Sequence, residues 1–250
     1  MMKSIFYRLQ TLAIAVWTLM VTIFFGLMVI CASFFSRTGD LPHLIARLWA
    51  NSILWVTRVK ITVTGVEKLN PGRSYIYMPN HQSNADIPLL LGRLPVQFRW
   101  LAKAELFKIP IFGQAMQGIG YISIDRSDRK AAFESLARAA DTIRNGTSVL
   151  IFPEGTRSRD GNLLPFKKGG FVLAVDAGVP IVPIVIRGTR DAVPKGQFLI
   201  RLTPVTLEIL DPVETSGYTR KTKDLLIEQI RTILQDHLAA GDKKDTMTSC

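Results

Sequence analysis

Ser148-Val149-Leu150-Ile151-Phe152-Pro153-Glu154-Gly155-Thr156-Arg157 is the stretch on which the fold turns. Its first half is an uncharged run of aliphatic and β-branched residues, bounded by Asn145-Gly146 before it and Pro153 after it, and reads as a buried strand. The strand runs straight into a turn holding a glycine, a hydroxyl and a guanidinium, where backbone N–H groups and Arg157 can hold an anion. A second apolar strand, Gly120-Tyr121-Ile122-Ser123-Ile124, ends in Asp125-Arg126 and puts another arginine at a strand's carboxyl end. Ligands of open α/β sheets bind beyond those ends, so the two arginines are expected to converge.

The surrounding pattern agrees with such a sheet. Strands are expected at 61–66, 74–78, 99–102, 181–186 and 206–210, with Asn70-Pro71-Gly72 as a turn. Helices are expected near 85–91, at 130–144 with Ser127 or Asp128 as cap, and at 170–177. Leu226, Ile230, Ile233, Leu234 and Leu238 recur at helical spacing, which predicts a C-terminal amphipathic helix packed on the domain. Helices alternating with apolar strands predict an α/β fold, a mostly parallel sheet with helices on both faces.

Asn80-His81-Gln82-Ser83-Asn84-Ala85-Asp86 supplies a base and a carboxylate. Histidine accepts a proton near neutrality, and a carboxylate beside it fixes its tautomer and stabilises the imidazolium. On one regular helix, residues five apart lie about 140° from each other and cannot share a face. A break is therefore predicted between them: His81 in a loop, Ser83 or Asn84 capping a new helix, and Asp86 in its first turn.

These blocks resemble the lysophosphatidic acid acyltransferase (1-acylglycerol-3-phosphate O-acyltransferase) family. Four blocks stand in order: His81 to Asp86, Gly120 to Arg126, Phe152 to Ser158, and Val179-Pro180-Ile181-Val182-Pro183. Lys103-Ala104-Glu105-Leu106, with Pro110 and Gly113, is similar to the family's region between the first two blocks, and the likeness spans Tyr75 to Ile186. The resemblance implies transfer of a fatty acyl group from a thioester, acyl-CoA or acyl carrier protein, to lysophosphatidic acid, giving phosphatidic acid. It implies His81 as general base and Asp86 as its orienting partner. It makes Arg126, Glu154, Gly155, Thr156 and Arg157, with Lys103, the residues that bind the glycerol phosphate. Other readings of these residues stay open: Gly155 for the turn alone, and Glu154 as a holder of Arg157.

A thioester is an activated donor, so a base and a positioned hydroxyl suffice for direct transfer. The chain has no Gly-x-Ser-x-Gly elbow, Cys31 lies in an apolar run, and Cys250 is the last residue. His43, His81 and His237 are scattered, so neither a metal nor a resident cofactor is expected.

The 250 residues suffice for one sizeable core, and Leu9 to Ser36 carries no charge over 28 positions, more than the roughly 20 needed to cross a bilayer. The run is too long for the apolar part of a signal peptide. Leu41 to Lys60, with Arg47, Arg58, Trp49 and Trp55, reads as an interfacial segment or the return arm of a hairpin, with a core helix as the other reading. Thirty-one Lys and Arg against 20 Asp and Glu leave +11, which suits anionic lipid and acidic carriers, and no nucleic-acid motif accompanies that charge. Two cysteines without a sensible pairing suggest a reducing compartment. The expected plan is a membrane-anchoring helical segment at 1–60, an acyltransferase domain at 61–240 facing the cytoplasm, and a disordered tail at 241–250. Two further functions stay open: acylation of another lysolipid such as a lyso-ornithine lipid, and non-catalytic lipid binding or membrane remodelling.

Overall fold

A computed structural model of the chain describes residues 2–125, 128–194, 200–201 and 203–248. The charge-poor N-terminus forms helix α1 (Met2–Ser33), and α2 (Asp40–Thr57) packs against it, with Trp49 donating its indole N–H to Thr22 Oγ1 at 3.0 Å. The domain continues as β1 (Ile61–Thr64), β2 (Ile76–Pro79), α3 (Asp86–Arg93), β3 (Phe98–Lys103), α4 (Phe112–Gly118), β4 (Ile122–Ile124), α5 (Arg129–Arg144) and β5 (Ser148–Leu150). It ends with α6 (Gly169–Ala177), β6 (Ile181–Arg187), the short α7 (Thr189–Ala192), β7 (Val205–Ile209) and α8 (Lys223–Thr248).

The strands form one sheet in the order β1-β7-β6-β2-β5-β3-β4. All neighbours are parallel except β6 and β7, which pair antiparallel with Ile186 opposite Leu207. Among the described residues, the β6 to β7 connection holds the four-residue helix α7. Side chains alternate across the sheet as the two-residue period requires. Tyr77, Phe98, Trp100, Leu150, Ile184 and Leu207 pack under the helices α2, α3 and α4, and Val29 of α1 joins them. Met78, Leu101, Val149, Ile181 and Val185 pack under α5, α6 and α8. Both faces are covered, as expected for a mostly parallel sheet.

One local expectation needs correction. α8 runs through Gly241 to Thr248, where a disordered tail was expected. Gly241 follows Leu238-Ala239-Ala240 and precedes an Asp-Lys-Lys-Asp run, and a single glycine costs a helix only about 1 kcal/mol relative to alanine. In α2 the two readings of Leu41 to Lys60 divide by face: Ala46, Ala50, Ile53 and Leu54 are buried, while Leu44, Leu48 and Trp55 are exposed.

Arg99 of β3 fastens the α1–α2 turn to the sheet. Its guanidinium is buried and donates to the Thr38 carbonyl at 2.7 Å, to Asp40 Oδ1 at 2.8 Å and to the Phe98 carbonyl at 3.1 Å. Hydrogen bonds from a charged donor contribute about 1.5–3 kcal/mol, so Arg99→Met, which keeps the stem and removes the fork, is expected to lower stability by that amount. Thermal unfolding of the purified protein reads this directly. An unchanged midpoint would mean that apolar packing alone holds the helical pair.

Candidate active site

The site is built where β2 and β5, neighbours in parallel register, reach their carboxyl ends. Beyond Pro79 the fully buried Asn80 locks β2 to β6: its Oδ1 accepts the Ile186 N–H at 2.7 Å, and its Nδ2 donates to the Ile186 carbonyl at 3.0 Å. His81 follows, with both backbone groups taken by the segment after β5. Its N–H donates to Glu154 Oε1 at 2.8 Å, and its carbonyl accepts the Ser158 N–H at 2.8 Å. The imidazole stacks on Phe152 with centroids 3.7 Å apart and planes 13° from parallel, and Phe152 stacks in turn on Trp100 at 5.3 Å.

His81 Nδ1 lies 2.8 Å from Asp86 Oδ2. With Nδ1–H donated to a carboxylate, Nε2 carries the lone pair and is the nitrogen able to take a proton. The predicted break between the two residues is present, and its cap differs from expectation. Neither Ser83 nor Asn84 caps α3; the N-cap is Ala85, which makes no side-chain cap bond. Instead, Asp86 turns back, and its buried Oδ2 also accepts the N–H groups of Gln82 at 2.8 Å and Ser83 at 2.9 Å. A carboxylate that accepts three donors at one oxygen is a stronger organiser than a hydroxyl cap, which explains why the loop folds around it. Ser83 Oγ accepts the Ala85 N–H at 3.1 Å, just before the helix, and donates to the Val193 carbonyl at 2.8 Å.

Glu154, expected among the substrate-binding residues, lies behind the site. Its side chain is buried, Oε1 holds the His81 amide, and Oε2 accepts the Leu164 N–H at 2.9 Å. Burial pushes its carboxyl up to about 7, with the two amide bonds and Arg231 opposing the rise and Asp86 adding to it. A second acid behind the base holds the loop; a phosphate would be repelled by it.

In front of His81 opens a cavity of about 340 Å³. Its wall runs from His81, Phe152 and Trp100 past Ile87, Leu91 and Met116 to Phe25, Gly26 and Val29 of α1 and Trp49 of α2. Lys103, at the end of β3, and Gly155, Thr156 and Arg157 also line it, so four of the predicted binding residues meet the base here. Gly155 has φ of +72°, a left-handed conformation that a side chain rarely adopts. Arg126 lies outside the described residues. Among the described residues, no three His, Cys, Asp or Glu side chains converge as metal ligands would.

Sequence reasoning missed the ring stack of Trp100 and Phe152 and the Asn80 lock. Only Asn80 had a visible signal, a polar residue placed at the end of a fully apolar strand. The arrangement can take a proton from a hydroxyl at the mouth of an apolar slot, with cations close by.

The acyltransferase family model matches residues 60–187. A 1-acyl-sn-glycerol-3-phosphate acyltransferase of Limnanthes douglasii is 36% identical over 209 residues, which is 83% of this chain and 72% of the relative. The alpha form of Homo sapiens is 34% identical over 188 residues, 75% of this chain and 66% of the relative. The crystal structure of the 1-acyl-sn-glycerophosphate (LPA) acyltransferase, PlsC, from Thermotoga maritima superposes with a TM-score of 0.80 at 29% identity, covering 96% of this chain and 97% of that one.

The raised Glu154 carboxyl has a consequence for stability. Between its ordinary value of 4.5 and about 7 the folded protein holds more protons at this group than the unfolded chain, so its contribution to stability falls as pH rises through that window. Thermal unfolding of wild type and Glu154→Gln from pH 4.5 to 8 should show wild type losing ground against the variant across that range, by about 3 kcal/mol at most. Parallel curves would mean that the carboxyl titrates as an exposed acid does.

Proposed function

The chain belongs to the acyltransferase family, and we propose that it transfers a fatty acyl group from an acyl thioester to the free hydroxyl of 1-acylglycerol-3-phosphate, giving phosphatidic acid. The observation that carries this reading is the His81–Asp86 pair at the mouth of an apolar cavity, with Arg157 on the same wall.

His81 Nε2 takes the proton of the acceptor hydroxyl while Asp86 stabilises the imidazolium. The hydroxyl oxygen bonds to the thioester carbonyl carbon, the carbon–sulfur bond then breaks, and the proton passes from His81 to the departing thiolate. No covalent enzyme intermediate is needed, because the thioester is already activated. The apolar cavity takes an acyl chain, and Arg157 with Arg126 takes the phosphate, for which a planar fork suits two oxygens. Lys103 adds charge at the same mouth. The donor is acyl-CoA or acyl carrier protein.

α1 supports a membrane site for this reaction. The most apolar 18-residue window within Tyr7–Ser33 has a mean hydropathy of 2.5, and Leu9, Leu12, Leu19, Met20 and Phe24 of this helix are exposed in the chain, as are Leu48 and Trp55 of α2. An apolar face of that size is covered by a lipid bilayer, with the catalytic domain on the cytoplasmic side where the net charge of +11 meets anionic headgroups. Salt washing should leave the protein on membranes, and release by salt alone would assign the attachment to charge.

The decisive assay uses purified enzyme with lysophosphatidic acid and a neutral lysolipid, scoring product by mass spectrometry. His81→Ala is expected to lose roughly 10²- to 10⁴-fold in turnover with the fold intact, and Asp86→Asn to be severely impaired as well. Near-normal turnover in His81→Ala ends the general-base reading. Arg157→Ala should raise KM for lysophosphatidic acid by roughly 10- to 100-fold, the loss of one charge-assisted phosphate contact, while activity on the neutral lysolipid stays at its low level. Equal losses on both acceptors would move Arg157 from the phosphate to the fold or the donor.

A further inference from the structure

The hold on His81 does not stop at Glu154. The Leu164 amide that donates to Glu154 Oε2 sits between two carbonyls that are both gripped by one side chain of α8. Arg231 donates from Nη1 to the Leu164 carbonyl at 2.9 Å and from Nη2 to the Leu163 carbonyl at 3.0 Å, and its guanidinium lies 5.5 Å from the Phe166 ring centroid. α8 is itself fixed to the sheet by the fully buried Leu226, Ile230 and Leu234. A continuous series of short contacts therefore runs from the rigid helix to the segment at 163–164, on to Glu154, and from there to the His81 backbone.

We propose that Arg231 is a positioning residue for acyl transfer: it sets the Leu164 amide, which sets Glu154, which sets the base. The proposal rests on His81 being that base. A planar fork suits two successive carbonyls in a way a single ammonium does not. The positive charge of Arg231 also favours the Glu154 carboxylate, against the opposite influence of Asp86, so one side chain supplies both the geometry and the countercharge of the clamp. Displacement of about 1 Å at a reacting centre can cost roughly 100-fold in rate, so a loosened clamp is read in turnover.

The test is steady-state kinetics of the full chain with lysophosphatidic acid and acyl-CoA, on Arg231→Gln, Glu154→Gln and the double variant. Arg231→Gln is expected to lower kcat roughly 10-fold, on the scale of a partial displacement of the base, while KM for both substrates stays within about twofold. Against the Glu154→Gln background the same substitution should cost under about threefold, because contacts in one series couple. Arg231→Lys should recover part of the loss. Asp224→Asn, which removes the Lys168 ion pair of the same helix, should leave kcat unchanged, separating the clamp from a general loosening of α8.

A kcat for Arg231→Gln within twofold of wild type, equal losses in both backgrounds, or an equal loss in Asp224→Asn would each overturn the proposal. Should Arg231→Gln fail to fold, the cycle is run with Arg231→Lys, and additive losses there overturn it equally. His81→Ala separates the two readings. If it is inactive while Arg231→Gln is normal, only the Arg231 proposal falls. If His81→Ala is active, the base assignment falls and takes the Arg231 proposal with it.

Discussion

A carboxylate buried between two backbone amides is the interaction on which the site depends. Glu154 stands at the point where the ends of β2 and β5 must be held at a fixed separation, and its two oxygens hold one amide from each side of the gap. Burying the charge is costly, and burial raises its carboxyl to about 7 in spite of its hydrogen bonds and Arg231. A neutral amide could not replace it, since a glutamine presents one acceptor and one donor group to two donors. The clamp therefore has to be an acid, and the energetic penalty is the consequence of fixing the His81 backbone from both sides.

The same logic governs Asp86. Its Oδ2 serves the ring of His81 and the two amides that follow, so the loop and the tautomer are set by one atom. Phe152 then fixes the plane of the imidazole by stacking, and Trp100 backs Phe152. Backbone, ring nitrogen and ring plane are thus restrained by three different side chains before any substrate arrives. Preorganisation of that kind spares the reaction the entropy of aligning its base.

The central strands β2, β5 and β6 were legible because each buried run was continuous, largely apolar and bounded by turn residues, as in Ser148 to Leu150. Asp128 was legible as a cap, and it does accept the amides of Lys130 and Ala131. The antiparallel direction of β7 was not legible, since Val205 to Ile209 alternates in burial as an edge or antiparallel strand does, and one sequence does not show its neighbour. α4 was not expected, since Pro110 and Gly113 stand at its start; the chain turns into that helix through Ile111 at φ of +63°, with Gly113 packed against the Phe107 backbone. In the site, spacing showed that His81 and Asp86 needed a break between them. It could not show that Glu154 faces inward, because an acid beside an arginine reads equally as a ligand, an ion-pair partner or a clamp.

α1 serves two surfaces at once. Thr22, Phe25, Gly26 and Val29 line the cavity, while Leu12, Leu19 and Phe24 point outward from the same helix. On the proposed reading, one helix separates the acyl chain in the cavity from the lipid around the protein. A side chain at Gly26 would meet Ile111 Cγ2 at 2.7 Å, so the helix and the segment leading into α4 approach as closely as a glycine allows. The N-terminal segment is then a structural wall of the cavity in front of His81, and the boundary expected at residue 60 divides the chain by composition more than by packing.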